Sequence, residues 1–86
     1  MNFIYIKIIQ GDEMKNRIQD LREDADLRQV DVADAIGITQ RKYSYIETGV
    51  QQLTGEILVS LANFYQTSTD YLLGLTDDPR PYPRKK

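Results

Sequence analysis

The chain has 86 residues, 41% of them apolar and none of them cysteine or histidine, with 11 Lys+Arg against 13 Asp+Glu for a formal net charge of −2. That length supports one small domain with a modest core, and the missing residue types exclude a disulfide scaffold, a zinc finger, a thiol nucleophile and a His-based active site. No apolar run nears the ~20 residues of a membrane span, and residues 3–9 lack the flanks of a secretory leader, so a cytoplasmic protein without cofactor, metal or small-molecule ligand is expected.

In chain order, Phe3-Ile4-Tyr5-Ile6-Lys7-Ile8-Ile9 has the β-branched and aromatic bias of a strand. A lone strand is unstable, which leaves two alternatives. Either it pairs with a twofold mate, or it lies outside the natural protein. The second has a specific motive: Gln10-Gly11-Asp12-Glu13-Met14 can be encoded as CAA-GGA-GAT-GAA-ATG, with a ribosome-binding AAGGAG just ahead of the ATG. Translation is then expected to start at Met14. The chain accordingly divides into an extension (1–13), a helical domain (14–75) and a tail (76–86).

A first helix is expected from Met14 to Asp24, with Ile18, Leu21 and Ala25 on one face. A second runs from Gln29 to Ile36 and stops at Gly37, suited to a left-handed C-terminal position. Thr39 can cap a third helix, Gln40 to Glu47, closing at Thr48-Gly49. After Val50 to Leu53, Thr54 can cap a fourth through Tyr65, with Leu58, Leu61, Ala62 and Tyr65 inward. Ser68 can cap a short fifth, Asp70 to Leu73, ending at Gly74. Pro79, Pro81 and Pro83 then forbid helix and predict an extended, mobile tail.

The second and third helices have the spacing of a helix-turn-helix. Val32, Ile36, Ile38, Tyr43 and Ile46 take inward positions, Ala33 sits where the helices approach closely, and Gly37 sits at the turn. Such a unit works when a buried face holds the second helix at a fixed angle and its other face stays polar. Val32, Ala33, Ile36, Ile38, Ile46, Leu58, Leu61 and Leu72 are expected to be buried, with Gln40 and Arg41 exposed. Acids crowd the first half at Asp20, Glu23, Asp24, Asp26, Asp31 and Asp34. Arg41 and Lys42 open the third helix, and Arg80, Arg84, Lys85 and Lys86 lie at the C-terminus, so charge is polarised and non-specific affinity for nucleic acid is weak.

Three motifs carry a resemblance: Gln29-x-x-x-Ala33-x-x-x-Gly37-Ile38-Thr39, then Tyr45-Ile46-Glu47-x-Gly49, then Ser68-x-Asp70-Tyr71-Leu72-Leu73-Gly74-Leu75-Thr76. From Met14 to Thr76 the chain resembles the Cro/cI-type helix-turn-helix family, also called the xenobiotic-response-element family, which includes lambda-type phage repressors. The resemblance implies a compact all-α five-helix domain that regulates transcription, as a homodimer on a near-palindromic double-stranded DNA operator. A repressor of phage, mobile-element or antitoxin type is the expected form.

By the same resemblance Gln29 holds a backbone phosphate, and Gln40 and Arg41 reach base edges, where Gln suits adenine and Arg suits guanine. Tyr45 takes a later groove-facing position, while Lys42, Ser44 and Gln51 touch the DNA backbone. Arg22 bridges Glu47 and so holds the reading helix at its angle. The fifth helix and the end of the fourth, around Tyr65, Thr69 and Leu75, form the expected dimer surface, with the strand-like residues 3–9 as competitor.

The chain departs from the family pattern at three places. Arg28 stands where a capping Thr or Ser is usual, with Asp31 compensating through the helix dipole. The loop Val50-Gln51-Gln52-Leu53 carries no charge. Tyr43 replaces an aliphatic residue and is read as core with its hydroxyl reaching the edge. The acidic balance keeps an alternative open, a protein-interaction module with this fold that does not read DNA. An enzyme is not expected, since no nucleophile–base pair, metal cluster or phosphate loop is visible.

Overall fold

A helix leaves its first N–H groups without partners, and a side-chain oxygen just ahead of it can supply one. The computed structural model describes residues 16–83. Its helices are α1 (Ile18–Asp24), α2 (Gln29–Ile36), α3 (Gln40–Thr48), α4 (Gly55–Tyr65) and α5 (Thr69–Leu72), and no strand occurs among the described residues. The Thr39 hydroxyl accepts the Lys42 N–H at 3.1 Å, Thr54 accepts that of Ile57 at 3.3 Å, and Ser68 accepts that of Tyr71 at 3.0 Å. Ahead of α2, Arg28 has no acceptor to offer. Instead the Asp31 carboxylate turns back to accept the Arg28 N–H at 2.8 Å and its guanidinium at 2.9 Å.

α2 and α3 end at Gly37 (φ 79°) and Gly49 (φ 82°). A Cβ at either would meet nothing within 4 Å, so the left-handed backbone and not lack of space asks for glycine. The Gly37 turn is closed by the Ile38 N–H on the Ala33 carbonyl at 3.0 Å, which swings α3 across α2.

The core is Ile18 from α1, Val32 and Ala33 from α2, Tyr43 and Ile46 from α3, Ile57, Leu61 and Ala62 from α4, and Leu72 from α5. α2 packs on α3 and α4, and α4 on α5. Ala33 is fully buried, as a close crossing requires.

Several expectations change. α1 begins at Ile18, because Arg17 directs its N–H to the Leu72 carbonyl at 2.8 Å and Asn16 Oδ1 accepts the Ile18 N–H at 3.0 Å. Met14 and Lys15, the expected strand of residues 3–9 and the basic residues 84–86 lie outside the described residues. α3 runs one residue further, to Thr48, and α5 starts at Thr69 because Ser68 caps directly before it. Ile36, Ile38 and Leu58 are only partly buried, at the margin of the core. Ile57 is buried where Leu58 was expected, the rotation of α4 being set by the elements it packs on, α2 and α5. Ala25 lies beyond the last turn of α1 and is exposed.

The tail is extended, as its prolines require, but its described part is tied down. The Arg17 guanidinium donates to the carbonyls of Thr76 (2.7 Å) and Tyr71 (3.0 Å) and to Asp77 (2.8 Å), and it stacks 4.1 Å above the Tyr71 ring. Further on, the Thr67 hydroxyl donates to the Pro79 carbonyl at 2.7 Å and the Tyr82 hydroxyl to Asp70 at 2.5 Å.

Candidate nucleic-acid interface

Because α3 buries Tyr43 and Ile46, residues 41, 45 and 48, at i, i+4 and i+7, share the face turned away from the core. Gln40, Arg41, Tyr45 and Thr48 are all exposed. Gln40 and Arg41, in the first turn, stand where their polar heads reach furthest from the domain.

A network of hydrogen bonds centred on Glu47, in the last turn, ties α3 to α1 and α2. Arg22 clasps Glu47 with two bonds, Nε to Oε2 at 2.6 Å and Nη2 to Oε1 at 3.2 Å, and its Nη1 donates to the Leu27 carbonyl at 2.9 Å. The Glu47 side chain is 2% exposed and that of Arg22 14%, so the pair is nearly dry. Gln29 donates its amide to Glu47 Oε1 at 3.1 Å, and Gln40 donates to Gln29 Oε1 at 3.5 Å. Glu47, an acceptor only when ionised, therefore orients the Gln29 amide, whose oxygen in turn faces Gln40. Burial pushes the Glu47 carboxyl up, but the hydrogen bonds that it accepts, led by those of Arg22, outweigh this and hold it below the usual carboxylate range.

This network adds a second part to the one expected of Gln29. Its amide gives one N–H to Glu47 and keeps a second, and the backbone N–H groups of Gln29 and Val30 at the start of α2 have no helical acceptor. Sequence reasoning placed Gln29 and Gln40 as separate DNA contacts and missed that they meet. No local signal marks this meeting, because the crossing of α2 and α3 brings the two amides within reach.

Lys42 is partly buried and lines a groove with Ile36, Ile38, Thr54 and Glu56, on the flank of α3 toward α4. Ser44 is partly buried, its carbonyl bonded to the Thr48 hydroxyl. Gln51 is partly buried and fastened through its N–H to the Tyr45 carbonyl at 3.0 Å.

The Tyr43 hydroxyl does not reach the edge. It is buried without a hydrogen-bond partner, as is that of Tyr65. Burial first and the Glu47 carboxylate second push the Tyr43 phenol far above its ordinary value, and burial with the Glu47 charge pushes Tyr65 up to about 12. Both stay neutral, and together with Arg22 and Glu47 they form a polar seam through the core.

No helix of the described residues is long and apolar enough to cross a membrane. Comparison with known proteins agrees with the geometry. A helix-turn-helix family model matches residues 18–72. YobD of Bacillus subtilis (strain 168), described as an uncharacterized HTH-type transcriptional regulator, is 39% identical over 70 residues, 81% of this chain and 62% of its own, so the chain spans about three fifths of that relative. No solved structure matches. The family match runs from the first residue of α1 to the last of α5 with the Gly37 turn between α2 and α3 inside it, and on that ground the chain belongs to the helix-turn-helix family.

Proposed function

We propose that the protein is a transcriptional regulator that binds double-stranded DNA sequence-specifically, as a symmetric homodimer on a near-palindromic operator. One observation carries the reading. The Arg22–Glu47–Gln29 network ties α3 to α1 and α2 on its buried side, while Gln40 and Arg41 stay exposed at its first turn.

In this reading Gln40 and Arg41 contact base edges in the major groove and Tyr45 follows them along the face. The first-turn N–H groups of α2, with Lys42, Ser44 and Gln51, hold phosphates, and Gln29 acts through Gln40. Val59, Leu75 and Tyr82 are exposed apolar residues on α4, after α5 and on the tail, beside the Tyr65 and Thr69 region expected to hold the twofold mate. Repression of phage, mobile-element or antitoxin genes is the proposed outcome of occupying the operator. The net charge of −2 and the uncharged Val50–Leu53 loop favour a second reading, a protein-interaction module that no longer reads DNA.

Selection of bound sequences from random duplexes separates the two, since the first reading expects a motif with twofold symmetry and the second expects none. With the selected duplex, Arg41→Ala should cost about 1–3 kcal/mol and relax preference at one symmetric pair of positions. Equal losses on the selected and a scrambled duplex would make Arg41 a phosphate contact only. Gln29→Ala should relax preference at the positions read by Gln40, and a uniform loss on all sequences would return Gln29 to the phosphate role.

A further inference from the structure

The two ends of the exposed α3 face differ in chemistry. Gln40 and Arg41 make the first turn polar, while the far end presents Tyr45, Thr48 and Val50. Val50 is 73% exposed, the most open large apolar residue among the described residues, and Tyr45 is 39% exposed. A single exposed valine is ordinary on a protein surface. This one is held in place. Gly49 before it is in the left-handed region with its N–H on the Ile46 carbonyl at 3.2 Å, and Gln51 after it donates to the Tyr45 carbonyl at 3.0 Å. Thr48 is likewise committed, because its hydroxyl turns back onto its own helix, 3.1 Å from the Ser44 carbonyl and 3.3 Å from that of Tyr45. With the hydroxyl engaged there, the methyl group is what Thr48 offers to a partner.

From this placement we propose that Thr48 and Val50 form a methyl-reading end of the interface, recognising the 5-methyl group of thymine in the major groove. The assignment rests on the reading of duplex DNA by α3 argued above. The one apolar feature that base pairs present in the major groove is the thymine methyl, and apolar side chains are its complement. The loop Val50–Leu53 contains no cation, and the Val50 side chain has no polar group, so packing is the interaction that this side chain can supply. Preference for A·T pairs at the positions under Thr48 and Val50 then comes from the methyl group and not from hydrogen bonds.

The test uses the full chain and a duplex selected from a random pool, with each thymine replaced in turn by uracil, which removes the methyl and keeps every hydrogen-bonding group. Wild-type protein should lose about threefold to fivefold in affinity at one thymine per half-site, the effect of one methylene-sized contact. Val50→Ala and Thr48→Ser, which keeps the hydroxyl bonds, should each bind the thymine duplex more weakly and respond less to the uracil change. A motif whose thymines all tolerate uracil, or a uracil penalty that persists unchanged in both variants, overturns the assignment while leaving DNA reading intact. A pool that yields no motif overturns sequence reading itself, and this assignment with it.

Discussion

A carboxylate that water barely reaches must find its hydrogen bonds inside the protein, and Glu47 finds them on Arg22 and Gln29. Removing one partner leaves the other charge without compensation. Glu47→Ala should therefore cost about 3 kcal/mol in urea unfolding, and the double replacement Arg22→Met with Glu47→Leu should cost less than the sum of its parts. Because the folded pKa of Glu47 lies below its unfolded value, the stability it contributes is complete above about pH 4.3 and is lost as pH falls through the folded value. Glu47→Gln should flatten that acid limb, and an unchanged limb would place the acid sensitivity elsewhere. The Tyr65 hydroxyl has the opposite character, being buried with no partner. Tyr65→Phe removes that desolvated group and should stabilise by up to about 1 kcal/mol, read as a higher urea midpoint at unchanged slope. A lower midpoint would mean that the hydroxyl has a partner, such as an ordered water.

The helix ends are set by local chemistry, and two of them, at Asp26 after α1 and at Gln66 after α4, put a side-chain-bearing residue in the left-handed region. α4 stops at Gln66, whose φ of 56° puts a side-chain-bearing residue in the left-handed region that α2 and α3 give to glycine. Its amide donates to the Asn63 carbonyl at 2.7 Å, which offsets part of the cost. Gln66→Gly should relieve the strain and raise stability by about 0.5–1 kcal/mol, an estimate from the glycine preference of this position. Thermal unfolding checks it, and a lower midpoint would show that the amide bond outweighs the backbone term. α3 needs no such concession, because Gly49 closes it and leaves Thr48 and Val50 fixed beside the turn.

Among the described residues, the large exposed apolar side chains are those of Tyr45, Val50, Val59, Phe64, Leu75 and Tyr82. Tyr45 and Val50 lie at the far end of the α3 face, and Val59, Leu75 and Tyr82 lie on α4, after α5 and on the tail. A stable interface buries ~800 Å² per partner, and a few scattered apolar side chains on this side argue that the isolated protein should sediment mainly as a monomer and pair on duplex DNA with reading helices ~34 Å apart. Sedimentation with and without the selected duplex checks this. A dimer that forms without DNA and is lost on deletion of residues 1–13 would move the interface to the N-terminal extension. The tethers from Arg17 to Thr76 and Asp77, and from Tyr82 to Asp70, keep the described tail close to this region.

The sequence by itself determined the elements of the helical domain. Thr39, Thr54 and Ser68 each mark a helix start because a hydroxyl can accept an N–H three residues on, and Gly37 and Gly49 mark ends because only their backbone reaches the left-handed region without strain. These are effects of a few neighbouring residues, so they are legible without the fold. The alternation of Val32, Ala33, Tyr43 and Ile46 likewise identified the inward face of α2 and α3. Tertiary structure decided what depends on residues distant in the chain. Ile57 is buried more deeply than Leu58 because packing on α2 and α5 fixed the rotation of α4, and α1 began at Ile18 because the Arg17 backbone is drawn to Leu72, 55 residues away. Gln29 turned inward to Glu47 and Gln40 because the α2–α3 crossing brings their amides within reach. Local chemistry chose the helices, and the packing of one on another chose which polar groups remain free to meet a partner.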